Sequence, residues 1–89
     1  MQAQSEKVEL HRQNTKACFD GLILLSLRTA EIYSNSCGVS VGSVGFPTVT
    51  TELTVGDVVM FEVGDQGRFE IRLTKRWGNS AAFIVSRLN

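Results

Sequence analysis

The chain carries one histidine, one proline, one tryptophan and two cysteines in 89 residues. A single histidine, His11, excludes multi-histidine metal sites and leaves one imidazole for acid–base work. Cys18 and Cys37 stand apart, with no C-x-x-C pair to pre-shape a tetrahedral metal site. Two thiols are also too few for the disulfide framework of a small secreted scaffold. They read as buried free thiols of a reducing compartment, with one disulfide as the alternative if the protein is exported. Charge of one sign is missing as well, because nine Lys and Arg balance nine Asp and Glu. The global basic excess of a dedicated nucleic-acid binder is therefore absent. No apolar run approaches the ~20 residues of a membrane span. The longest, Leu22–Leu27 interrupted by Ser26, starts too late for a secretory signal and lacks the small-residue cleavage pattern. A cytoplasmic protein without membrane contact is expected.

What is present is an apolar content of 43% beside 20% charge, which suits one globular domain and not a disordered chain. Residues 55–88 read as a three-stranded antiparallel meander. Val58–Val63 forms a strand, Gly64–Gly67 a turn, and Arg68–Lys75 a second strand of near-perfect alternation. Phe69, Ile71 and Leu73 should face inward, with Arg68, Glu70 and Arg72 in water. Trp77-Gly78-Asn79 then turns the chain into Ser80–Leu88. Upstream, Ser34–Gly45 supplies turn freedom ahead of a short strand at Val39 and Val41, extending to Val44. Pro47 and the threonines at 48, 50, 51 and 54 suggest an edge strand or extended connection, since proline cannot donate a ladder hydrogen bond.

Two segments leave alternatives open. The polar N-terminal segment, residues 1–16, holds isolated Val8 and Leu10 and reads as a frayed helix capped by Ser5 or a disordered leader, with partial order favoured. Residues 17–33 fit both periods: Cys18, Leu22, Leu25 and Thr29 keep helical spacing, whereas Ile23, Leu25 and Leu27 alternate. Gly21 within a helix is costly, which favours strand. The fold expected is mainly β, with α+β as the alternative. It is a curled antiparallel sheet or small β-barrel of residues 17–89 with a polar N-terminal segment, helical as one alternative.

Catalytic patterns are thin. Gly38-Val39-Ser40-Val41-Gly42 matches G-x-S-x-G, but His11 precedes the serine, no helix pattern follows, and the chain is too short for that hydrolase fold. Glu52, Asp57, Glu62, Asp65 and Glu70 fall at turns and outward strand positions, where solvation keeps carboxylates ordinary. Gly38, Gly42 and Gly45 have the wrong spacing for a phosphate-cradling loop. No catalytic residue, metal or cofactor is assigned, and a non-enzyme is expected. Recognition has better candidates. Phe61, Phe69 and Phe83 lie at inward positions and read as core. Trp77 sits at a turn directly after Lys75 and Arg76, on the side of the chain where Arg68, Arg72 and Arg87 add further positive charge. Arg72, Lys75, Arg76 and Trp77 are the candidate interaction surface.

From about Arg12 to Leu88 the order of features resembles a PilZ domain, the small β-barrel associated with cyclic di-GMP signalling. The resemblance rests on Tyr33–Val41, on the Leu53–Val63 segment with its Gly56-Asp57 turn, and on the final hairpin Phe69–Val85. It implies ligand contacts at Arg12, Lys16, Asn35, Ser36 and Gly38. Lys16 stands where the family has the second arginine of its R-x-x-x-R arm. Tyr33 stands where Asp or Asn is expected and Asn35 where Ser is expected. A point-charge lysine lacks the planar fork that grips phosphate and guanine edges. The departures imply a member that binds a protein in place of the nucleotide. The function expected is a non-catalytic binding or regulatory module acting on another protein, with self-association left open. The alternatives are a cyclic di-nucleotide receptor and a small nucleic-acid-binding barrel.

Overall fold

Val8 and Leu10 fall on one side of an extended chain, with Ser5, Lys7 and Glu9 on the other, and this period-two pattern places the N-terminal segment in a sheet. In the computed structural model, which describes residues 4–88, β1 (Gln4–His11) pairs antiparallel along its whole length with β8 (Ser80–Arg87). The helical alternative for this segment is thus not adopted. Only two apolar side chains mark it, so the sequence signal is weak until β8 supplies a partner and an apolar layer beneath.

The remaining strands are β2 (Thr15–Cys18), β3 (Ile23–Thr29), β4 (Ser36–Ser43), β5 (Phe46–Thr54), β6 (Val58–Glu62) and β7 (Arg68–Trp77), with one 3-10 turn at Gly64–Gln66. The two-period ambiguity of residues 17–33 resolves as strand. Phe19 and Asp20 adopt left-handed φ values of 54° and 57°, and Gly21 follows at 89°, a backbone no helix accommodates. The meander forms as expected, with Phe69, Ile71 and Leu73 fully buried. Arg72 is exposed between them.

Two four-stranded antiparallel sheets result, in the orders β1-β8-β7-β6 and β2-β3-β4-β5. The chain runs from the first sheet into the second after β1 and returns after β5. In circular order each strand therefore follows its chain neighbour, as in an up-and-down barrel. The ring is not closed, because β1 does not pair with β2, nor β5 with β6. One apolar core lies between the inner faces. Leu10, Phe69, Ile71, Leu73 and Phe83 come from one sheet, and Ile23, Leu25, Leu27, Val39 and Val41 from the other. Each such side chain contributes roughly 1.5–3 kcal/mol by leaving water.

Three register shifts interrupt the ladders. Opposite β4, β3 carries one extra residue between Leu27 and Thr29, and that residue is Arg28. Opposite β8, β7 carries one extra residue between Leu73 and Lys75, namely Thr74. The third lies between Val41 and Ser43, where β5 bulges at Pro47 and Thr48. A bulge re-aims the side chains beyond it and tolerates a proline that a regular ladder rejects.

Candidate functional site

The end of the molecule formed by the β1–β2, β3–β4, β5–β6 and β7–β8 connections carries two strongly exposed large side chains, Tyr33 and Ile32. Ser34 N–H donates to the Glu31 carbonyl at 3.1 Å, closing a four-residue turn with Ile32 and Tyr33 at its corner. Tyr33 is fully exposed and Ile32 is 65% exposed. The turn is pinned: Ser36 N–H donates to Ser34 Oγ at 3.0 Å, and Val55 N–H donates to the Asn35 carbonyl at 3.1 Å. The braced turn holds a tyrosine and an isoleucine in water in a fixed conformation, so a contact made there would need little further ordering.

Beside that turn lies an open cleft of about 680 Å³, lined by Arg12, Gln13, Arg28, Ala30, Glu31 and Tyr33 among others. Gln13, with a left-handed φ of 69°, donates its N–H to the Leu27 carbonyl, while Arg12 N–H donates to the Asn79 carbonyl. These two bonds tie the β1–β2 connection to both sheets and set Arg12 on the rim. Arg28 follows inward-facing Leu27 and points outward by the strand's own alternation, where its guanidinium donates a long 3.4 Å hydrogen bond to Ser40 Oγ. Two arginines and one glutamate, Glu31, are the charged residues that line the cleft, a balance that favours an anionic group.

The candidates from the sequence separate into different places. Arg12 lines this cleft, whereas Lys16 lines another, about 520 Å³, with Lys7, Val8, Glu9, Thr74 and Ala82. The two cations of the R-x-x-x-R-like arm therefore do not converge on one cleft. Asn35 gives its carbonyl to Val55, and Ser36 Oγ shares a 2.9 Å hydrogen bond with Thr54 Oγ1. Gly38 N–H donates to Thr29 Oγ1 at 3.0 Å, and a side chain there would come within 2.5 Å of that oxygen. Gly38 is required for close packing of β4 on the β3 bulge.

Arg72, Lys75 and Trp77 lie on the outer face of the first sheet, with the Lys75 ammonium 5.5 Å from the centre of the Trp77 ring. Trp77 is 38% exposed, a half-covered ring. Arg76 goes the other way, because the Thr74 bulge resets the alternation. Its guanidinium donates to the carbonyls of Ser36, Glu31, Gly78 and Ser80, which joins the two sheets at the loop end. The β3–β4 turn that carries Tyr33 thus rests on Arg76 through Glu31.

His11 Nδ1 and Ser80 Oγ lie 2.5 Å apart, joining adjacent strands. Cys18 and Cys37 are free and buried. Burial, reinforced by Glu6 and opposed by Lys16, pushes the Cys18 thiol up to about 11 from 9.0. Burial likewise raises Cys37, partly offset by the nearby Arg76. Neither is a ready nucleophile. Among the described residues no three His, Cys, Asp or Glu side chains are grouped to hold a metal, and no helix is long and apolar enough to cross a membrane. Sequence reasoning missed Arg28 and Ile32: the alternation of Ile23, Leu25 and Leu27 points Arg28 outward but does not place it beside Arg12, and a turn corner leaves no periodic signature. Scans against models of protein families, curated proteins and solved structures give no match to this chain.

Proposed function

We propose that this chain is a non-catalytic binding module that engages an acidic segment of another protein through the loop end, with Tyr33 and Ile32 as anchors and Arg12 and Arg28 as anion-binding flanks. The observation that carries this reading is the fully exposed Tyr33 on a hydrogen-bonded turn beside two outward guanidiniums. Tyrosine and arginine dominate interface hot spots because each supplies large contact area and directed polar groups. The two buried free thiols fit a cytoplasmic setting. The cyclic di-nucleotide reading draws less support, since Arg12 and Lys16 line separate clefts.

A photo-crosslinking residue at position 33, in cells that express the protein, tests the proposal. A discrete adduct is expected at position 33 but not at Thr15, an exposed position of β2. The adduct should weaken in an Arg12→Glu, Arg28→Glu background. Indistinguishable adducts at positions 33 and 15, or an adduct unaffected by the charge reversals, would overturn the proposal.

A further inference from the structure

A sheet edge is a row of unpaired backbone donors and acceptors, and natural proteins shield such edges with short strands, charges or covering segments. Three of the four edges here are shielded. β2 has four residues and β6 five, whereas β1 is laced with Glu6, Lys7 and Glu9. β5 is nine residues long, pairs only with β4, and has Glu52 as its one charged residue. It also leaves Phe46 40% and Val49 36% exposed.

The hydrogen bonds at the end of β5 reveal which backbone groups are free. Val55 N–H bonds toward β4, at the Asn35 carbonyl, and Thr54 N–H bonds away from it, to Asp57 Oδ2 at 3.0 Å. N–H and C=O of one residue point to the same side in an antiparallel ladder, and successive residues alternate. Thr50 and Glu52 therefore aim both backbone groups at the open edge. The Asp57 carboxylate closes the edge at Thr54, and the Pro47 bulge closes it at the other end.

We infer that two copies of this chain pair through β5, antiparallel about a two-fold axis at Thr51. In that register Thr50 of each copy exchanges hydrogen bonds with Glu52 of the other, so the four free groups are all used. Val49 then lies opposite Leu53 of the second copy, covering the half-exposed valine. Glu52 faces Thr50, and the shifted register that would set Glu52 against Glu52 is disfavoured by like charge. A chain whose positive and negative residues balance adds no net repulsion between copies. The two sheets of the β2-β3-β4-β5 kind then merge into one of eight strands. Its outer face continues the hydroxyl rows Thr15–Ser26 and Ser40–Thr50 across the axis. The clefts at Arg12 and Arg28 stay open, giving a bivalent particle whether or not the proposed partner is the right one.

Sedimentation equilibrium of the whole chain tests this directly. Pairing over so few residues should be weak, with a dissociation constant between roughly 1 μM and 1 mM. The average mass should rise toward that of two chains as concentration increases through that range. Thr51→Lys, which sets two ammonium groups opposite each other at the axis, should weaken association at least tenfold. Ala17→Lys on the β2 edge should leave it unchanged. Thr51 would occupy a non-hydrogen-bonded pair, whose Cα separation of ~4.5 Å suits a disulfide. Thr51→Cys should therefore give a covalent dimer on mild oxidation, with Cys18 and Cys37 remaining free inside the core. A constant single-chain mass up to millimolar concentration, or a dimer that Thr51→Lys does not weaken, would overturn the inference. So would Thr51→Cys remaining uncrosslinked where the unmodified chain is dimeric.

Discussion

Replacing Arg76 by alanine removes the only guanidinium that grips both sheets at the loop end among the described residues. Four carbonyls lose this donor at once, those of Ser36, Gly78, Ser80 and Glu31, the last of which keeps its bond from Ser34 N–H. A hydrogen bond from a charged donor is worth ~1.5–3 kcal/mol, yet four do not add, because the side chain is half-exposed and water can reach some of the freed oxygens. Glu31 and Gly78 are exposed and rehydrate readily, whereas Ser80 is buried and Ser36 half-buried. Counting the two sheltered acceptors in full and the others at little gives about 3–6 kcal/mol, a large share of the 5–15 kcal/mol of a typical domain. In a urea titration the midpoint should fall by roughly 1 M or more at unchanged slope. Arg76→Lys should recover only a fraction, since an ammonium cannot span four acceptors in a fork. A loss below ~0.5 kcal/mol, no larger than for exposed Arg72→Ala, would refute the cross-sheet role.

Three further outcomes follow from the core and its edges. Ile71→Ala should cost about 2–5 kcal/mol and Arg72→Ala under ~1 kcal/mol in denaturant titrations, and equal losses would mean the β7 register is displaced by one residue. Gly38→Ala forces Thr29 to move away and give up its bond to the Gly38 N–H, for about 1–3 kcal/mol; in a Thr29→Ala background the added loss should shrink, as calorimetric double-mutant cycles would show. The raised Cys18 thiol stabilises the fold fully below pH 9.0, where the unfolded thiol is still protonated. Stability should therefore decline as pH rises from there to about 11, by up to ~1.4 kcal/mol per unit, and Cys18→Ala should flatten that limb of the pH–stability profile.

The meander was legible because one face of β7 is buried and the other solvated, which turns burial into strict alternation at Phe69, Ile71 and Leu73. The alternation misleads past Leu73. Continued without a break it sends Lys75 inward and Arg76 outward, and the Thr74 bulge reverses both. Nothing in the residues around Thr74 announces that extra position, so Arg76 looked like a surface contact in place of a brace. β1 was obscure for a related reason: at a sheet margin only Val8 and Leu10 need be apolar, and two residues cannot define a period. The loop-end cleft was half visible. Arg12 and Tyr33 drew attention as parts and departures of a family motif. Arg28 and Ile32 did not, since only the tertiary fold brings Arg28 beside Arg12 and a turn corner carries no periodic signal. An open flattened ring also differs from a closed barrel only at two seams, β1 to β2 and β5 to β6, and strand patterns do not encode whether neighbouring edges join.

The claim at the centre of this account is that Tyr33 anchors a partner. Its most direct test is the affinity of the protein crosslinked at position 33, purified and titrated against the unmodified chain and against Tyr33→Ala. Tyr33 takes part in no hydrogen bond that braces the turn, so the variant should fold with unchanged stability. Loss of a central tyrosine anchor should weaken binding by at least ~2 kcal/mol, about thirtyfold. Equal affinity of Tyr33→Ala and the unmodified chain would contradict the account.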